Sequence, residues 1–133
     1  MRRALTAAAV AGVVSAVPST ASAVASGGDP FEATLAAGSI LLPRETRRWR
    51  LAAAAAPVHA TMSLFWALVL ERTLPRRHPV RWGAAAGAGI AVLDLIVIGR
   101  RFSRVRELPF LPQLADHVAF GVTVALVLSR GAA

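Results

Sequence analysis

The chain has 133 residues, of which 56% are hydrophobic and 17% charged, against roughly 25% charged in soluble domains. Its 15 basic residues are all arginine, its acidic residues number 7, and the formal charge is +8, with no cysteine and no tyrosine. A disulfide framework, a thiolate zinc site, a cysteine nucleophile and a Schiff-base lysine are all excluded.

The first apolar block covers residues 4–26, behind Met1-Arg2-Arg3. A basic start, an apolar run and Ala21-Ser22-Ala23 form a signal-peptide pattern, cleavable after residue 23 or 25. The block is also long enough to cross a bilayer if Pro18 only kinks it, since a spanning helix needs about 17–25 residues. Gly12, Ser15, Ser19 and Ser22 recur at helical spacing, as a packing face does. A retained helix is the expectation.

Asp29-Pro30-Phe31-Glu32 predicts a short helix over residues 30–42. Asp29 suits the cap, Pro30 the first helical position and Glu32 a capping box, and Pro43 stops the run. This segment is too short to cross, so it is expected at the interface or dipping into the bundle. With four spans, seven arginines fall on one side and eight on the other, so the positive-inside rule gives no orientation. If residues 31–42 crossed as a fifth segment, the division would be ten to five with the N-terminus inside.

Three more blocks follow, at residues 51–70, 82–99 and 114–129, the last extended by Leu108-Pro109-Phe110-Leu111-Pro112. Trp49 and Trp82 stand at block starts, where amphipathic rings favour the lipid–water boundary. Arginines fill the connections at 44–50, 72–81 and 100–106, as solvated loops near lipid phosphates would. A nucleic-acid partner is not expected, because apolar spans keep the basic residues from gathering on one face.

Ionisable residues inside spans are costly, roughly 2.5–3.5 kcal/mol each, and turn toward the bundle interior. His59 lies about 12 Å into its block and Asp94 about 7–8 Å from the end of its own. Alternating helix direction puts both in the same half of the membrane as Asp116, His117 and the Ser19-Thr20 hydroxyls. Gly83, Gly87 and Asp94 share one stripe, and Gly83-x-x-x-Gly87 is a close-packing motif. His117, Gly121 and Ala125 share another, and His59, Ser63 and Trp66 a third. The expectation is one polar cluster of His59, Asp94, Asp116 and His117, with Ser19, Thr20 and Ser63 as supporting hydroxyls and Gly83, Gly87 and Gly121 at helix contacts. Such a cluster can be a structural network, a proton- or ion-handling site, or a metal site.

No G-x-G-x-x-G, P-loop, H-E-x-x-H or G-x-S-x-G motif occurs. Ala16-Val17-Pro18-Ser19-Thr20, Asp29-Pro30-Phe31-Glu32-Ala33 with Ala36-Ala37-Gly38, His59, Leu93-Asp94-Leu95, and Ala115-Asp116-His117 with Phe120-Gly121 together resemble a group of small, uncharacterised integral membrane proteins of high-GC, actinobacterial-type bacteria. That resemblance implies a retained first helix and brings no activity. The expected protein is all-α: a four-helix membrane bundle with one short extra helix, in a bacterial cytoplasmic membrane. It is expected to be non-enzymatic and without cofactor, its partners the bilayer and a second copy of itself. A proton- or small-ion-conducting oligomer and a metal-binding membrane protein are the alternatives.

Overall fold

The computed structural model describes residues 1–130, and every regular element among them is helical. Helix α1 (Arg2–Val14) is alanine-rich, and Ala4, Ala7, Ala8 and Ala11 form its buried stripe at helical spacing. Such small side chains let other helices approach closely. The helix breaks at Ser15-Ala16, ahead of Pro18, which lacks an N–H and crowds the carbonyl four residues back. Helix α2 (Val17–Ala25) resumes beyond the break. It ends in a Schellman turn: Gly28 donates to the Ala23 carbonyl (2.8 Å), Gly27 to that of Val24 (3.2 Å), and Gly27 takes φ +71°.

Helix α3 (Glu32–Leu41) starts later than residue 30. Asp29 does accept the Phe31 N–H at 2.9 Å, but its other oxygen takes Arg48 at 2.6 Å. The expected capping box does not form, since Glu32 makes no side-chain hydrogen bond among the described residues. Both ends of α3 stay beside the first turns of α4 (Arg48–Thr73). Asp29 reaches Arg48, and Gly38 lies so close to the Leu51 backbone that a Cβ there would collide with it.

Helix α5 (Pro79–Ala91) continues through a π-helical segment, Val92–Ile98, and a 3-10 turn, Gly99–Arg101. A short helix, α6 (Ser103–Arg106), precedes α7 (Phe110–Arg130). Helix α7 packs against α5 on one flank and α1 and α2 on the other, α1 also packs on α4, and α3 touches α4 and α6. The core between α1, α4, α5 and α7 comprises the alanine stripe with Ala67, Leu70, Ile90, Phe120 and Val124.

Four helices are long and apolar enough to cross a membrane: Arg2–Ala25, Arg48–Thr73, Pro79–Arg101 and Phe110–Arg130. The last three overrun their sequence blocks by one to four residues at each end, because helical backbone continues into the flanks, whereas the first starts two residues early and ends one residue short of its block. Only 22–28% of their most apolar stretches is buried inside the protein. Val13, Val17, Phe65 and Val97 point outward instead.

Candidate functional site

Glycine sets the distance between α5 and α7. A Cβ on Gly83 would lie 2.6 Å from the Gly121 carbonyl oxygen and 2.8 Å from Ala125 Cβ. One on Gly87 would strike the His117 carbonyl and sit 2.7 Å from Val118 Cα. The two backbones therefore touch, and this contact holds His117 on α7 beside the π-helical turn that carries Asp94.

His117 Nε2 lies 3.6 Å from Asp94 Oδ2, both side chains being about four-fifths buried. The separation is that of an ion pair, a little long for a hydrogen bond. His117 Nδ1 sits 2.7 Å from the Gln113 carbonyl oxygen. A carbonyl only accepts, so Nδ1 carries the hydrogen and Nε2 is left facing the carboxyl. The contact attracts when one proton lies between them, on either the ring or the carboxyl. The second carboxyl oxygen, Asp94 Oδ1, is buried without a hydrogen-bond partner among the described residues. The π-helical geometry of Val92–Ile98, in which the Gly99 N–H reaches back five residues to the Asp94 carbonyl, is of a kind found often at functional sites.

His59 and Asp116 do something else. The break in the first span frees backbone groups that continuous helix would have paired. Ala16 N–H bonds the Val13 carbonyl (3.4 Å) instead of that of Gly12, and His59 Nε2 donates to the Gly12 oxygen at 2.8 Å. On the other side of the break, Ser19 N–H donates to Asp116 Oδ1 at 2.8 Å. One imidazole thus closes the C-terminal end of α1 and one carboxylate the N-terminal start of α2. The signs suit the helix dipoles: an acid at the positive end and a base at the negative end.

The expected buried four-residue cluster is therefore corrected to two arrangements, an Asp94–His117 dyad between α5 and α7 and a His59/Asp116 pair that closes the break, with His59 exposed instead of turned into the bundle. Ser19 takes part through its backbone N–H, Thr20 is exposed, and Ser63 is buried against Gly12. Among the described residues no three histidine, aspartate or glutamate side chains gather as a metal ion would require. The sequence reading missed the break-closing role. Its signal was present: a proline inside a span frees backbone groups, and polar residues on facing helices are what can answer them.

No family model matches the chain, no curated protein resembles it enough to count as a relative, and no solved structure matches its fold.

Proposed function

We propose that the chain is a small, non-enzymatic, multi-pass protein of a bacterial cytoplasmic membrane, built around intramembrane polar joints. Four apolar helices, the uncovered valines and phenylalanine on their outer faces, and arginine-rich connections support the membrane setting. In this reading α3 lies at the interface, since both its ends keep to the first turns of α4. Residues 1–25 stay in the mature protein, because α1 supplies the buried alanine stripe on which Phe120 and Val124 pack. The observation that carries the proposal is the closure of the helix break by His59 and Asp116, for which a water-free surrounding gives the physical reason. Backbone groups there have no solvent to fall back on.

A second reading is favoured by one observation only, the unpartnered Asp94 Oδ1. It makes the Asp94–His117 dyad a proton-exchanging step of a proton- or small-ion-conducting oligomer. The touching backbones of α5 and α7 leave no path between those helices, so a conducting route would run between copies of the chain.

Reconstituted liposomes containing a pH-sensitive dye separate the two. Under the first reading the protein passes no protons, and Asp94→Asn changes stability alone. Proton flux that Asp94→Asn and His117→Gln abolish, in protein that still folds, overturns it in favour of the second.

A further inference from the structure

Residues 100–106 join the third candidate span to α7 and bring four arginines, Arg100, Arg101, Arg104 and Arg106, to one end of the bundle. None of the four pairs with a carboxylate among the described residues. Beside two of them opens a half-enclosed groove of about 270 Å³. Arg100 and Arg106 stand at its rim, and Leu95, Ile96 and Phe110 line its apolar wall. Gln113 also lines it. The residue as a whole is 7% exposed, and its carboxamide makes no hydrogen bond to another described residue, although its backbone carbonyl holds His117.

Two guanidiniums without counterions, a carboxamide without a protein partner among the described residues and an adjoining apolar wall form a composite surface. The cationic rim fits a phosphate diester, for which arginine offers forked donors. The amide supplies a further polar contact below it. The wall descends from Arg100 to Leu95, five residues back along the helix, which is the direction acyl chains take from their headgroup. A free phosphate has no use for that wall; a phospholipid covers it.

We propose that this groove binds an anionic phospholipid, its phosphate between Arg100 and Arg106, Gln113 beneath, and an acyl chain along Leu95, Ile96 and Phe110. The proposal rests on the membrane reading above. The same groove abuts the Asp94–His117 dyad through Leu95 and through the Gln113 carbonyl, so a bound lipid would close the dyad off at that end.

The test takes the full chain from membranes and begins with extraction. A chain released by carbonate without detergent overturns both the membrane reading and the lipid site. A chain that needs detergent is then incubated, in a mild micelle, with equal amounts of phosphatidylglycerol and phosphatidylcholine of identical acyl chains. Native mass spectrometry counts the lipid retained. Phosphatidylglycerol is expected to be preferred, with Arg100→Gln and Arg106→Gln each lowering that preference about fivefold and the pair about thirtyfold, at roughly 1 kcal/mol per arginine near an anionic headgroup. Gln113→Leu is expected to lower it as well, without changing the net charge. Arg76→Gln with Arg77→Gln, between the second and third spans, is expected to leave it unchanged.

Equal retention of the two lipids overturns the lipid site alone. So does equal loss from the Arg76/Arg77 variant, which marks general charge attraction, and so does displacement of the lipid by millimolar inorganic phosphate, which marks a free-anion site. Circular dichroism checks that the variants fold. Should Gln113→Leu fail to do so, the two exposed arginine variants decide.

Discussion

Alanine at Gly87 and alanine at Gly89 lie two residues apart on the same helix and should have opposite effects. At Gly87 the added methyl meets backbone, striking the His117 carbonyl and lying 2.7 Å from Val118 Cα. Carbon atoms pack at about 3.5–4.0 Å, so α5 and α7 must part by about 1 Å. Overpacking of this kind costs about 1–3 kcal/mol, and backbone atoms have no alternative rotamer to relieve it. Alanine's better helix propensity returns up to about 1 kcal/mol. The expected net loss for Gly87→Ala is about 1–2 kcal/mol. The parting also carries His117 Nε2 beyond its 3.6 Å approach to Asp94. At Gly89 nothing lies within 4 Å of the new methyl, so only the propensity gain remains, about 1 kcal/mol of stabilisation. Unfolding in mixed micelles of rising sodium dodecyl sulfate content, followed by circular dichroism, measures both. The two variants should differ by about 2–3 kcal/mol. Equal effects, or a neutral Gly87→Ala, would refute the glycine-set contact between α5 and α7.

Gly38→Ala should likewise destabilise, by about 1–3 kcal/mol, because its methyl runs into the Leu51 backbone; the same micelle titration reads it. Asp116→Leu should cost about 1–2 kcal/mol by orphaning the Ser19 N–H, and Asp116→Asn, which still accepts, much less. The Leu penalty should shrink in a Pro18→Ala background, where the first span is free to straighten, and an unchanged penalty in that double mutant would sever Asp116 from the break. Arg48 and the Phe31 N–H hold the Asp29 carboxyl below its ordinary pKa, and the Arg47 N–H, with Arg50, does the same for Glu45. Their contribution, Asp29 holding the start of α3 on α4 and Glu45 the connection between them, is therefore complete above the unfolded carboxylate range, about pH 4, and is lost as the pH falls through the lower folded values. The emission of Trp49, next to Arg48, should show a step in acid and none from neutral to pH 9. Asp29→Asn should remove most of that step, and high salt should weaken it, since both pairs are exposed.

What could be read from the chain was depth. Block lengths and the rise per residue place four apolar helices and put His59, Asp94, Asp116 and His117 at comparable distances from one end. Azimuth was less legible. Gly83, Gly87 and Gly121 share straight helical stripes, and in the structure they do face one another across α5 and α7. Asp94 lies past the point where α5 widens into π-helical turns, which rotate a side chain away from a 3.6-residue count. His59 and Asp116 are aimed by backbone groups that exist only because the first span breaks, a demand set by Pro18 on a different helix. The groove at the arginine end depends on how residues 100–106 turn back against Val92–Arg101 and α3, for which no periodicity exists. One outward sign of it was a glutamine, Gln113, near the start of an otherwise apolar helix.

The tie between Ser19 and Asp116 joins residues 97 positions apart. At about 5–20 residues per second of synthesis, α2 waits roughly 5–20 seconds for the acid that completes it. During that interval the first turn of α2 carries an unanswered N–H, which only water or another polar group can satisfy. Final seating of α2 would then wait on the arrival of α7.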